Sequence, residues 1–273
     1  MKRIKGLMKE ILSKTLRTMG YEIVYHGHNF RVKDERANEY ARNAHLQYIF
    51  DRMNINCVFD IGANEGQYAR NLRGLGYDGY IISFEPVSST YSILEKSASR
   101  DPKWKAYKLA LGTENKKSEI NLFGTSLFNS FLTYENEEVS TSNISKLCSQ
   151  ADLPTESYTI AGREEVEIKR LDNVYNEIVK DLGIECRLFI KLDTQGYDLE
   201  VLKGGKETIQ KAIGLQSEIS FIQLYQGMPG YLDSLHFFES LGFQVTGLFC
   251  VSRYAKSLAA VEFDCIMKSS LID

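Results

Sequence analysis

Cys57-Val-Phe-Asp60-Ile-Gly62-Ala63-Asn64-Glu65-Gly66 is the stretch on which the fold turns. Its first four residues, three apolar and the fourth Asp60, read as a compact buried strand. Gly62 and Gly66 then punctuate a turn, Gly62 for the tight bend and Gly66 for close packing of the next helix, and helical spacing runs over residues 67–75. Strand, glycine turn and helix in that order place the turn at the carboxyl edge of a sheet, where open α/β folds bind their ligands.

The same rhythm continues on the C-terminal side. A second strand is expected at Tyr80–Phe84, ending at Glu85-Pro86, then a helix over 88–99 and a third strand over 105–110. Alternation of this kind requires right-handed crossovers in a parallel sheet. Residues 113–170 break the rhythm. They hold strand-like pieces at 119–123 and 166–170 around a stretch rich in Ser, Thr, Asn and Glu, and read as an insertion over the carboxyl edge, facing substrate. The sheet resumes at 187–192, followed by a helix over 199–212, a strand over 215–221 and a helix over 231–241. Strands at 243–249 and 261–267 close it as a hairpin. The expected fold is therefore α/β and Rossmann-like: a mostly parallel seven-stranded sheet with helices on both faces, occupying residues 51–273.

Residues 1–50 read as an extension. Residues 1–20 give an amphipathic helix, with Ile4, Leu7, Met8, Ile11, Leu12, Leu16 and Met19 opposite Lys2, Arg3, Lys5, Lys9, Lys14 and Arg17. Such a helix packs on the domain or lies on an anionic membrane surface. No apolar run is long enough for a membrane span or a signal peptide. The five cysteines (Cys57, Cys148, Cys186, Cys250, Cys265) form no paired motif, so a reducing compartment, the cytoplasm, is expected, with peripheral contact at the inner membrane face. A net charge of −3 argues against a nucleic-acid partner, whose phosphates would call for a basic face. The sequence leaves the oligomeric state open.

The chemistry of the first turn is selective. A dinucleotide site needs G-x-G-x-x-G, and here Asn64 and Glu65 occupy the turn instead. An acid there repels a diphosphate and suits a cofactor carrying a sulfonium and an ammonium. Glu85, at the tip of the second strand, is placed to accept both ribose hydroxyls. A second dense segment, Phe189-Ile-Lys191-Leu-Asp193-Thr194-Gln195-Gly196, puts Lys191 and Asp193 on one strand face with Asp193 at the carboxyl end. Charges ending an apolar central strand need partners. Glu218 repeats the pattern on the neighbouring strand. His26-Gly-His28 has metal-like spacing without a third ligand, and no metal is expected.

These segments resemble the FkbM family of S-adenosylmethionine-dependent methyltransferases. The likeness runs through Val58–Tyr68, Phe84-Glu-Pro86, Leu109-Ala-Leu-Gly112, Phe128-Asn-Ser130, Arg170-Leu-Asp172, residues 189–205 and Glu218–Tyr225, covering roughly 55–250. It implies a class I methyltransferase that transfers a methyl group from S-adenosylmethionine to oxygen, commonly a hydroxyl of a polysaccharide, glycolipid or natural product. By position, Asp60, Gly62, Ala63, Asn64, Glu65 and Gly66 would hold the methionine part of the cofactor, Glu85 the ribose, and Leu111 and Gly112 the border of the adenine. Many relatives carry Asp-x-Glu-Gly where this chain has Asp193-Thr-Gln195-Gly196, so the chemical burden passes to Asp193 and Glu218, with His236 as the outside candidate for the base. The alternatives are a methyltransferase acting on another small molecule, protein or nucleic acid, and a NAD-linked oxidoreductase.

Overall fold

The computed structural model describes residues 34–133, 159–254 and 257–271. The expected helix over 1–20, the His26-Gly-His28 pair and the middle of the insertion lie outside these residues.

Helix α1 (Asp34–Met53) leads into β1 (Cys57–Ile61), followed by α2 (Gln67–Gly74), β2 (Tyr80–Phe84), α3 (Ser88–Ala98) and β3 (Trp104–Tyr107). Next come β4 (Ala110–Gly112), β5 (Lys116–Phe123), a 3-10 turn (Ser126–Phe128), β6 (Ile160–Arg170) and α4 (Leu171–Leu182). The chain ends with β7 (Leu188–Leu192), α5 (Asp198–Lys203), α6 (Lys206–Lys211), β8 (Ala212–Ser220), α7 (Tyr231–Ser240), β9 (Phe243–Arg253) and β10 (Ala260–Ser269). The main sheet has seven strands in the order β3-β2-β1-β7-β8-β10-β9, with only the β8–β10 and β10–β9 pairings antiparallel. The expected Rossmann-like α/β sheet with a closing hairpin is the one observed.

Both faces of the central strands are covered, which is why β1 and β7 are buried end to end. Cys57, Phe59 and Ile61 face one core with Leu171, Val174 and Ile178 of α4 and Phe238 of α7. Val58 and Phe189 face the other, with Leu46, Ile49 and Phe50 of α1, Leu72 of α2 and Leu94 of α3.

Two expected elements differ, and two observed helices, α1 and α4, were not expected. The strand expected over 105–110 is two strands: β3 ends at Tyr107, and β4 pairs with β6 in a separate three-stranded sheet, ordered β4-β6-β5. The helix expected over 199–212 is broken into α5 and α6. Gly204 crosses so close to Gly112 that a Cβ on it would lie 1.8 Å from the Gly112 carbonyl oxygen, and a Cβ on Gly205 would strike Leu171. Helix α4 was not anticipated, although Leu171, Val174, Tyr175 and Ile178 repeat at helical spacing and Gly183 ends it with φ +63°.

Candidate active site

A cavity of about 550 Å³ opens at the carboxyl ends of β1, β2, β7 and β8. Its floor follows from strand register. Asp60 stands opposite Ser83 on β2 and Lys191 on β7, and Lys191 stands opposite Gln216 on β8. In-register residues share a face, so four polar side chains form a row across the sheet. The buried Asp60 accepts a bond from Ser83 Oγ at 3.1 Å, and Ser83 Oγ accepts one from Trp104 Nε1 at 3.0 Å.

Lys191 joins the row to the turn. Its ammonium lies 3.2 Å from Asp60 Oδ1 and 3.4 Å from Asp193 Oδ2, and donates to the Gly62 carbonyl at 3.1 Å. Burial opposes its charge, but Asp193 and Asp60 together outweigh that and raise its pKa, so it stays protonated. It therefore holds Asp193 in place as a cation and is no base. Asp193, with a side chain 38% exposed, faces the cavity.

The turn after β1 is shaped by that neighbour. Gly62 has φ +75°, and a Cβ there would lie 2.0 Å from the Asp193 carbonyl oxygen. Gly66, at φ +86°, fits against the Trp104 ring and Leu94. Asn64 also takes a left-handed conformation, which an Asn tolerates, and its N–H donates to Glu85 Oε2 at 3.0 Å. Glu85 Oε1 accepts from the Val87 N–H at 3.0 Å. Burial pushes the Glu85 carboxyl up to about 7, against the pull of those two N–H groups.

Of the residues singled out in the sequence, Gly62, Ala63, Asn64, Glu85, Leu111, Lys191, Asp193 and Glu218 line the cavity. Asp60 lies just beneath it under Lys191. Glu65, Gly66 and Gly112 are not on its wall: Gly66 packs into the core and Gly112 serves the crossing with Gly204. His236 is not brought to the cavity either. It lies exposed on α7, which buries Ser234 and Phe238.

Other wall residues went unread in the sequence. Arg42 of α1 pairs with Asp264 at 2.7 Å, Gln216 Nε2 donates to Asp264 at 2.9 Å, and the Tyr68 hydroxyl donates to Gln216 Oε1 at 3.0 Å. Glu262 joins Glu218 on the far wall. Burial and the neighbouring carboxylates raise Glu218 well above the usual range; Glu262 is pushed up to about 7, burial again leading. The charges alternating with Val261 and Phe263 in Val261-Glu262-Phe263-Asp264 were the available signal. From the insertion, Ile120, Ser126, Leu127, Phe128, Asn129 and Phe131 close one side.

The wall is acidic. Among the described residues six carboxyl side chains (Glu39, Glu85, Asp193, Glu218, Glu262, Asp264) meet two cations, Arg42 and Lys191, both already engaged by carboxylates. That donor set fits the sulfonium, ammonium and ribose of S-adenosylmethionine and offers a diphosphate nothing to bind.

The sequence matches the Methyltransferase FkbM domain over residues 60–245. It is 24% identical over 188 residues to the 2-O-methyltransferase NoeI of Sinorhizobium fredii, covering 67% of this chain and 72% of that protein. It is 27% identical over 163 residues to Methyltransferase sdnD of Sordaria araneosa, covering 55% of this chain and 60% of that one. Among solved structures, the magnesium protoporphyrin IX methyltransferase of Synechocystis PCC 6803, with bound SAM, aligns at 8% identity and a TM-score of 0.41 over 90% of this chain and 87% of that chain, a likeness too remote to argue from. With a domain match spanning most of the sheet, the glycine turn included, the chain belongs to the FkbM family of S-adenosylmethionine-dependent methyltransferases.

Proposed function

We propose that the chain methylates a hydroxyl group of a sugar or glycan. The observation that carries this reading is Asp193: a carboxylate at the cavity wall, pinned by an ammonium that is itself fixed by Asp60 and Gly62. S-adenosylmethionine supplies an activated methyl carbon. What remains for the protein is alignment and removal of one proton from a neutral alcohol. Glu85 holds the ribose hydroxyls with lone pairs not used by the Asn64 and Val87 N–H groups. Asp193 accepts the hydroxyl proton, and Glu218 on the adjoining strand faces the same space. The likeness to a protein described as a 2-O-methyltransferase supports oxygen as the acceptor.

The same proposal places the reaction in the cytoplasm, with residues 1–20 touching the inner membrane face through their six basic side chains. Co-sedimentation with anionic vesicles that equals that with neutral vesicles would remove this part. The test of the function itself is turnover of methyl-labelled S-adenosylmethionine across neutral glycans, lipid-linked sugars, and amine and carboxyl acceptors. Label recovered as a sugar methyl ether supports the reading; label found only on nitrogen or carboxylate overturns it.

A further inference from the structure

We infer that Gln195 is the positioning residue that orients Asp193 for proton removal, with Tyr225 and Ser130 holding Gln195 in turn. The inference rests on the reading of Asp193 as the base. Gln195 Nε2 donates to Asp193 Oδ1 at 3.0 Å, while Lys191 lies 3.4 Å from Oδ2. Each oxygen thus has one fixed donor, so the carboxylate cannot swivel and keeps its remaining lone pairs for the cavity. The amide is oriented by charge: turned over, its oxygen would face a carboxylate. On its far side, the Tyr225 hydroxyl lies 3.4 Å from Gln195 Oε1 and 3.0 Å from the Phe128 carbonyl, its proton shared between these acceptors.

The backbone of Gln195 carries an independent mark. Its φ is +51°, a strained conformation for a residue with a Cβ, and one that clusters at working sites. The strain is held by tertiary bonds: Ser130 Oγ donates to the Gln195 carbonyl at 2.8 Å, and the Thr194 N–H donates to Asp198 at 2.9 Å. Gly196 follows at φ +89°, packed against Leu132 and Met228. Ser130, Phe128 and Tyr225 come from loops outside the main sheet, so the insertion side and the segment after β8 meet on this one amide.

In the step this serves, the acceptor O–H bond breaks with its proton passing to Asp193. The hydroxyl oxygen bonds the methyl carbon, and the sulfur–carbon electron pair stays on sulfur. The charged and titratable groups around Asp193 are Lys191 on its own strand, Asp60 on β1, Asp198 on α5, Glu218 on β8 and Glu262 on β10. A neutral amide at 195 adds no further anion to that set. A carboxylate there would sit about 3 Å from Asp193, and two acids at that separation cannot both ionise readily.

Gln195→Glu and Gln195→Ala test this in the full chain. The Glu variant is expected to move the acid limb of the kcat profile to higher pH by about one unit or more. The Asp193 carboxyl, followed by carbon-13 NMR without cofactor, is expected to shift the same way. The Ala variant should lose about tenfold to a hundredfold in kcat through misplacement, with S-adenosylhomocysteine affinity unchanged. A folded Gln195→Glu protein with the wild-type limb and the wild-type Asp193 titration overturns the inference, as does wild-type kcat in Gln195→Ala. If Asp193→Asn retains full turnover, the reading of the base fails first, which separates the two.

Discussion

The two ends of the cavity are built in opposite ways. Under β1 and β2 the wall is backbone and tight turns: Glu85 is gripped by the N–H groups of Asn64 and Val87, and Gly62 nests against the Asp193 carbonyl. Over β7, β8 and β10 the wall is side chains, and they are mostly acids, Asp193, Glu218, Glu262 and Asp264. A preorganised backbone cradle suits a cofactor of fixed shape, because its geometry costs nothing to reach at binding. A rim of carboxyls suits proton transfer, and burial raises the proton affinity of two of them, Glu218 and Glu262. One end should therefore govern affinity and the other rate, and substitutions should separate the two.

The largest separation is expected at Asp193. Asp193→Asn keeps the shape and removes the group proposed to take the proton; loss of a positioned base typically costs about 10²–10⁴-fold in kcat. S-adenosylhomocysteine affinity should change little. Calorimetry showing that cofactor binding collapses in a folded variant would move Asp193 to the donor end and break the division.

That division also marks what the sequence could reveal. The end proposed to hold the donor is compact in the chain: Gly62, Ala63 and Asn64 of one turn and Glu85 line it, so glycine spacing and strand–helix alternation bring it to notice directly. Lys191 and Asp193 were legible for the same local reason, two charges closing an apolar strand. The acceptor end joins Arg42, Gln216 and Asp264, whose alliance depends on β10 inserting between β8 and β9. No local periodicity encodes that insertion. Helix α5–α6 was misread for a related reason: its break at Gly204 answers the approach of Gly112, about ninety residues earlier, where tertiary crowding overrides helical propensity.

Gly62→Ala probes the joint between the ends. The new methyl would meet the Asp193 carbonyl at 2.0 Å, on a backbone already at φ +75°. Backbone cannot swing aside as a side chain can, so a loss of about 3 kcal/mol or more in unfolding free energy is expected. Denaturation at wild-type stability would mean that β1 and β7 are not locked at this point. Glu85→Ala is expected to be milder and confined to affinity, weakening cofactor binding by about 1.5–3 kcal/mol, the range for hydrogen bonds to a charged group. A fall in kcat at saturating cofactor, with affinity intact, would sink the ribose role.

Stability against pH reads both ends at once. Glu85 and Glu262 sit at about 7 in the folded protein and Glu218 is raised well above the ordinary carboxylate range, in each case with burial as the leading cause. Their folded values lie above the unfolded carboxylate value of about 4.3. Such groups stabilise fully below the unfolded value, and that stabilisation is lost as pH rises through the folded value. The cofactor-free protein should therefore lose thermal stability progressively between about pH 4 and pH 7, from the unfolded carboxylate value to the folded one. On the proposed ribose role, bound cofactor donates hydroxyls to Glu85 and favours its ionised form, so it should flatten the donor end's share of the slope. Glu262→Gln should flatten the acceptor end's share and leave the cofactor's effect intact. Melting curves of the two proteins, with and without S-adenosylhomocysteine, distinguish these shares. A wild-type protein whose stability does not fall through this window would show its carboxyls titrating as ordinary solvated acids, and the contrast between a rigid donor end and a proton-holding acceptor end would be lost.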